Sequence, residues 1–174
     1  MSGFIDHHLP ISAIHLDIDY MKGYRIFTVD KSRFPNLRKL SDDLQSLGVN
    51  LVTIVDPGVK KDSSYPIYQE GLQDDLFCKT PTDKVLHGVV WPGGAAFPDF
   101  TNPNTRKWWG GLYKSLIDEG ISGFWHDMNE PTSFSAWENN SLPLDTRHNL
   151  DGRLGDHREA HNLYGLLMNI AGYQ

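Results

Sequence analysis

The chain has 174 residues, 39% of them hydrophobic and 22% charged, with a formal net charge of −6. That is room for one globular domain with a sizeable core, and the acidic balance argues against a nucleic-acid partner, which would need a basic patch. The lone Cys78 makes no internal disulfide, no apolar run reaches transmembrane or signal-peptide length, and so no membrane partner and a cytoplasmic location are expected.

In chain order, the stretch "AIHLDID" (13–19) alternates Ile14, Leu16 and Ile18 with His15, Asp17 and Asp19, which predicts a strand sending both acids from one face. Residues 32–48 place Phe34, Leu37, Leu40, Leu44 and Leu47 on one helical face and stop at Gly48. "NLVTIVD" (50–56) predicts a second strand, with Ile54 and Asp56 on a shared face. Residues 57–85 read as a long loop, and "LHGVVWP" (86–92) as a third strand. Residues 101–120 predict a helix with cap-like Thr101 and Asn102, Pro103 in the first turn and Gly120 at the end; its Trp108–Trp109 pair reads as packing. "ISGFWHD" (121–127) predicts a fourth strand in which Trp125 and Asp127 share a face. Residues 131–154 read as another loop, where Asn139 heads an Asn-Asn-Ser acceptor that chance explains as well as glycosylation does. The last helix, 155–172, carries a predicted apolar stripe of Leu163, Leu166, Leu167 and Ile170.

The four strands recur roughly every 35 residues with helices between them, the spacing of βα units in a parallel sheet. Three of them end in aspartates, Asp17, Asp56 and Asp127, so carboxylates collect at the C-terminal sheet edge where such folds keep their active sites. Gathered carboxylates can hold a hard metal ion, hydrogen-bond a polyol, or act as acid and nucleophile on a sugar. Trp91 and Trp125 beside the acids, with Phe97, Phe100 and Phe134 in the loops, favour the sugar: its C–H faces stack on aromatic rings, and a metal cage has no use for indole. Neither metal nor cofactor is therefore expected. His157 and His161 stand at zinc-compatible i, i+4 spacing, but the Glu of "HREAH" is at the third position, so capping or packing is the better reading. Cys78 reads as inert.

"LDIDYM" (16–21), "IVDPG" (54–58), "WPGGAAFPDFTNP" (91–103), "GFWHDMNEP" (123–131) and "HREAHNLYG" (157–165) resemble, in order and spacing, the α-glucosidases of glycoside hydrolase family 31. The resemblance implies an α/β fold, a retaining mechanism and a (β/α)8 catalytic barrel. It implies that Asp127 is the nucleophile, that Asp17 hydrogen-bonds the glucose hydroxyls, and that Ile18, Ile54, Trp91, Trp125 and Met128 wall the pocket. Asp19 either braces Asp17 and nearby backbone or binds sugar. Glu130 would be the acid/base by comparison with retaining β-glycosidases, whose Asn-Glu-Pro supplies it; the preceding Asp-Met favours a supporting role behind Asp127. The family's acid/base Asp, substrate Arg and pocket His have no counterparts in these residues. Residues 1–174 are accordingly expected to be the first four βα units of the barrel, a half-barrel carrying the nucleophile without the acid/base. The expected partners are an α-1,4-linked gluco-oligosaccharide and either the missing half of the barrel or a second copy meeting the open sheet edges. The rival readings are an α-xylosidase or transglucosylase of the same family, and a non-catalytic half-barrel assembly unit.

Overall fold

The computed structural model describes residues 1–135 and 140–173, so the Asn139 acceptor lies outside the described residues. A short helix α1 (Ser2–Asp6) leads to strand β1 (Ala13–Leu16), helix α2 (Leu37–Gln45) and strand β2 (Asn50–Val55). Strand β3 (Val59–Lys60), helix α3 (Pro66–Gln73) and strands β4 (His87–Val90) and β5 (Gly93–Ala96) follow. Helices α4 (Pro103–Leu112) and α5 (Lys114–Asp118) precede strand β6 (Gly123–His126). The short strands β7 (Arg147–His148) and β8 (Gly155–Asp156) then lead into helix α6 (His157–Tyr173).

The helix starts follow their local chemistry. The Asn36 side chain accepts from the Lys39 N–H (2.8 Å) at the start of α2, and Asn102 accepts from Asn104 N–H (2.9 Å) with Pro103 in the first turn of α4. The predicted 101–120 helix is broken at Tyr113 into α4 and α5, and Gly120 closes it with a φ of +86°, a backbone state that suits glycine.

Strands β1, β2 and β6 form one parallel sheet in that order. Leu16 pairs with Thr53, Ile54 with Trp125 and Val55 with His126. Among the described residues β1 and β6 are the edges of this sheet.

Several sequence expectations fail here. The run 86–92 is not a fourth parallel strand: β4 turns back after Val90 and pairs antiparallel with β5, Val90 opposite Gly93, and β5 pairs antiparallel with β3. Only Trp91 and Pro92 separate the two strands, enough for a hairpin and far too few for a parallel crossover. The parallel sheet of the described residues therefore has three strands, not four. The second failure is the length of β1, which ends at Leu16; Asp17 caps a 3₁₀ turn over Ile18–Tyr20, so Asp17 and Asp19 do not leave one strand face. Nor are 57–85 and 131–154 structureless, since they hold β3, α3 and β7.

The core sits between the sheet and α4 and α6. Trp109, fully buried, meets Phe27 and Phe100 edge-on at 5.2 and 5.1 Å, and Phe100 meets Tyr164 at 5.1 Å. The predicted stripe of α6 is the wrong face. Its buried residues are His157, Ala160, Tyr164, Met168 and Ala171, at helical spacing, whereas Leu163, Leu166 and Ile170 are exposed. The two helices meet closely at Gly110 of α4 and Ala171 of α6: a Cβ on Gly110 would stand 2.7 Å from the carbonyl oxygen of Ala171. That neighbour is backbone and cannot swing away, so Gly110→Val is expected to destabilise the fold by roughly 1–3 kcal/mol. A lowered urea midpoint with unchanged m-value would show it, and an unchanged midpoint would refute the close-contact account.

Candidate functional site

Each strand of the parallel sheet is followed immediately by an aspartate: β1 by Asp17, β2 by Asp56 and β6 by Asp127. Since Val55 pairs with His126, the next residue on each strand is an acid, and Asp56 stands beside Asp127. Neighbouring parallel strands lie ~4.8 Å apart, so the two carboxyl groups share one small volume. Residues His15, Val52, Ile54, Gly123 and Trp125 belong to the same face of the sheet by the register. Gly123 leaves this face open, and the His15 and Trp125 rings approach edge-on with centroids 6.3 Å apart.

The strand behind Asp127 is tied down from the opposite face. Trp109 Nε1–H donates to Tyr113 Oη (3.0 Å), and Tyr113 Oη–H donates to His126 Nε2 (2.6 Å). His126 Nδ1–H donates to Asn169 Oδ1 (2.6 Å) on α6, and burial lowers the pKa of His126. A neutral ring satisfies both bonds at once. The residue after Asp127, Met128, has a φ of +57°, a left-handed conformation that a long side chain rarely adopts. Such strain persists where the surroundings impose it, and it commonly marks a site.

Asp17 is exposed and its Oδ1 accepts from the Ile18 N–H at 2.7 Å. Asp19 takes a different path: it pairs with Arg33 (3.1 Å) and accepts from the Tyr24 hydroxyl (3.3 Å), which makes it a brace of the 3₁₀ turns. Glu130 is exposed and accepts from the Thr132 hydroxyl. Ile18, Met21, Asp56, Val90, Trp91 and Pro92 line one cavity, so the hairpin of β4 and β5 delivers Trp91 to the strand ends although it is not part of the parallel sheet. Gly58 permits that approach, because a Cβ there would stand 2.5 Å from Val90 Cγ2. Trp91 is 44% exposed and packs edge-on against Phe134 at 4.9 Å. Phe97 and Phe100 are fully buried in the core and offer no sugar platform.

Asp56 is the residue that sequence reasoning placed at the edge and gave no role. It is 4% exposed and its Oδ1 makes no hydrogen bond on the chain. Burial first, and then the charges of Asp127, Asp17 and Glu130, push its pKa up to about 7; hydrogen bonding with Trp91 offsets part of the rise. The signal was its position in "IVDPG", one residue past a strand end like the other two acids.

A second polar cluster could in principle hold a metal. Cys78, Asp99 and His148 bring ligand atoms within 4.8 Å of one another. Their hydrogen bonds read as a structural clasp instead. Asp99 Oδ1 accepts from Thr101 Oγ1–H (2.7 Å) and His148 Nδ1–H (2.9 Å), and Asp99 Oδ2 from Asn149 N–H (2.6 Å). His148 Nε2 accepts from His157 Nδ1–H (3.0 Å), and His157 Nε2 from His161 Nδ1–H (3.0 Å). Burial holds the Cys78 thiol far above its usual range, away from the thiolate a metal requires.

A parallel α/β sheet with carboxylates gathered at its C-terminal edge is the arrangement in which barrel folds carry their active sites. Residues 1–174 match the model of the glycosyl hydrolases family 31 TIM-barrel domain, and the chain belongs to that family. It is 50% identical over 171 residues to "Alpha-glucosidase 2" of Bacillus thermoamyloliquefaciens, covering 98% of this chain and 22% of that protein. It is 42% identical over 172 residues to the neutral alpha-glucosidase AB of Sus scrofa, covering 97% of this chain and 18% of that protein. Among solved structures, the catalytic subunit in an ER glucosidase II heterodimer superposes with a TM-score of 0.91 at 35% identity, over 99% of this chain and 19% of that one. The family 31 alpha-glucosidase of Bacteroides thetaiotaomicron gives 0.80 at 39% identity, over 98% and 26%. The chain thus spans about a fifth of the length of the curated relatives it matches.

The histidine clasp has a pH signature. Burial, then the neighbouring His148 and His161, lower the pKa of His157 to about 4. The unfolded chain therefore binds a proton first, and stability is lost as pH falls from about 6.5 towards 4, by about 3 kcal/mol in full. Thermal melts between those limits are expected to decline less steeply for His157→Gln than for the native chain; parallel curves would refute the assignment.

Proposed function

We propose that these residues form the nucleophile-bearing part of a retaining α-glucosidase site, with an α-linked gluco-oligosaccharide as substrate, α-1,4 linkages foremost. The observation that carries the reading is the position of Asp127, directly past β6 on the face it shares with Trp125 and Ile54, next to Asp56 and near Asp17. In this reading the Asp127 carboxylate attacks the anomeric carbon as the glycosidic C–O bond breaks, and its charge first stabilises the oxocarbenium-like transition state. The departing oxygen takes a proton from an acid/base group supplied by residues outside these 174. Water then cleaves the glycosyl-enzyme with help from the same group.

Asp17, exposed and held among the described residues by Ile18 N–H, is placed to accept hydroxyl hydrogens of the bound glucose. Ile18, Ile54, Trp91, Trp125 and Met128 supply the apolar walls. Glu130, bonded to Thr132, orients the loop after Asp127. The relatives' printed names favour α-glucoside over α-xyloside.

Two measurements test this. In an enzyme that carries the acid/base, Asp127→Asn is expected to abolish turnover of an aryl α-glucoside, because an amide cannot serve as the nucleophile. Glu130→Gln should keep a measurable rate, and equal loss in both would instead favour Glu130 as the acid/base. The 174 residues alone should fall short of such an enzyme by at least ~10²-fold, the typical contribution of general acid catalysis, and near-equal rates would overturn the division of the site.

A further inference from the structure

Asp56 has geometry that the reaction outlined above leaves unused. The strand register sets it beside Asp127, as the next residues after the Val55–His126 pair. Its side chain is almost wholly buried, and Oδ1 has no hydrogen-bond partner among the described residues. The titratable groups that act on it are Asp127 and Glu130 after β6 and Asp17 after β1, all of them acids; Tyr20, whose own pKa is raised by burial and by Asp56, adds no positive charge. None of the largest influences on Asp56 is a lysine, arginine or histidine. The packing also fixes its position: Tyr20 Oη–H donates to the Ile54 carbonyl (3.0 Å), and Gly58 lets the chain close against Val90 just beyond.

A buried carboxylate without a counter-ion neutralises, and two neighbouring carboxyl groups do not both ionise freely. We propose that Asp56 is a positioning residue that holds a proton beside Asp127 on the acid side of neutrality, so that it adds no second charge next to the Asp127 carboxyl group. The inference rests on the reading of Asp127 as nucleophile for its meaning, though not for its test. A neutral Asp56 removes the repulsion that a second carboxylate would exert on the nucleophile. Because the two carboxyl groups are neighbours, ionisation of Asp56 changes the field at the Asp127 carboxyl carbon.

The test is carbon-13 NMR of the chain labelled at the aspartate carboxyl carbons, followed from about pH 4 to about pH 9 across the ordinary and raised carboxylate ranges. Asp127→Asn identifies the Asp127 resonance and Asp56→Asn that of Asp56. The Asp56 resonance is expected to move with a midpoint of about 7. The Asp127 resonance should show an inflection at the same midpoint, absent from Asp56→Asn. If Asp56→Asn does not fold, the shared inflection is still read on the native chain. An Asp56 resonance that titrates in the ordinary carboxylate range, or an Asp127 resonance that passes pH 7 without inflection, overturns the proposal. A merely structural Asp56 would alter stability without producing the shared step. No substrate enters the measurement, so its failure leaves the α-glucosidase reading intact, and absent turnover leaves the titration intact.

Discussion

The register of the β1–β2–β6 sheet is the constraint on which the site depends. Pairing Val55 with His126 brings the ends of β2 and β6 to one level, β1 ends two residues lower at the Leu16–Thr53 pair, and each strand is followed by an aspartate. A slip of one residue in β6 would carry Asp127 and Trp125 to the opposite face, against Tyr113 and the core. The register is specified from that opposite face, where Leu51, Thr53 and Val55 are buried and Phe124 meets Tyr113 edge-on at 4.6 Å. Hydrophobic packing on one side of the sheet thereby fixes charged chemistry on the other.

That arrangement concentrates like charges. The acids at the edge have no basic partner among the groups that act on Asp56, unlike the carboxylates elsewhere on the surface, which pair with Arg25, Arg38 or Lys39. Acid pairing at the edge is unfavourable for the fold on its own, and the aromatic cluster around Trp109 and the His126 bridge supply the rigidity that keeps the acids in place.

Much of this was legible in the chain. Alternation and length located β1, β2 and β6 to within a few residues, and the three strand-end aspartates pointed to the edge. Caps at Asn102 and glycine at Gly120 marked the helix that the structure divides at Tyr113. The misses have separate causes. "LHGVVWP" has the composition of a strand in either orientation, and only the two-residue Trp91–Pro92 turn, followed by the glycines of β5, distinguishes a hairpin from a parallel crossover. The leucines of α6 looked like a core stripe, but the helix carries apolar residues on more than one face, and the face with Tyr164, Met168 and the Ala171 that meets Gly110 is the buried one. Phe97 and Phe100 were judged by their loop positions, which say nothing of burial. Asp56 was visible by position, but its isolation from positive charge is a property of the packed site.

The left-handed backbone at Met128 carries a separate consequence for sequence variation. At most positions of a pocket wall, tolerance follows size and polarity. At 128 it should follow the freedom of the main chain, so that glycine or asparagine fits with ease while valine and isoleucine, equally apolar, clash with their own backbone. An alignment or a mutant library that ranks substitutions there by hydrophobicity would therefore order them wrongly, since the position selects for conformation first and surface second.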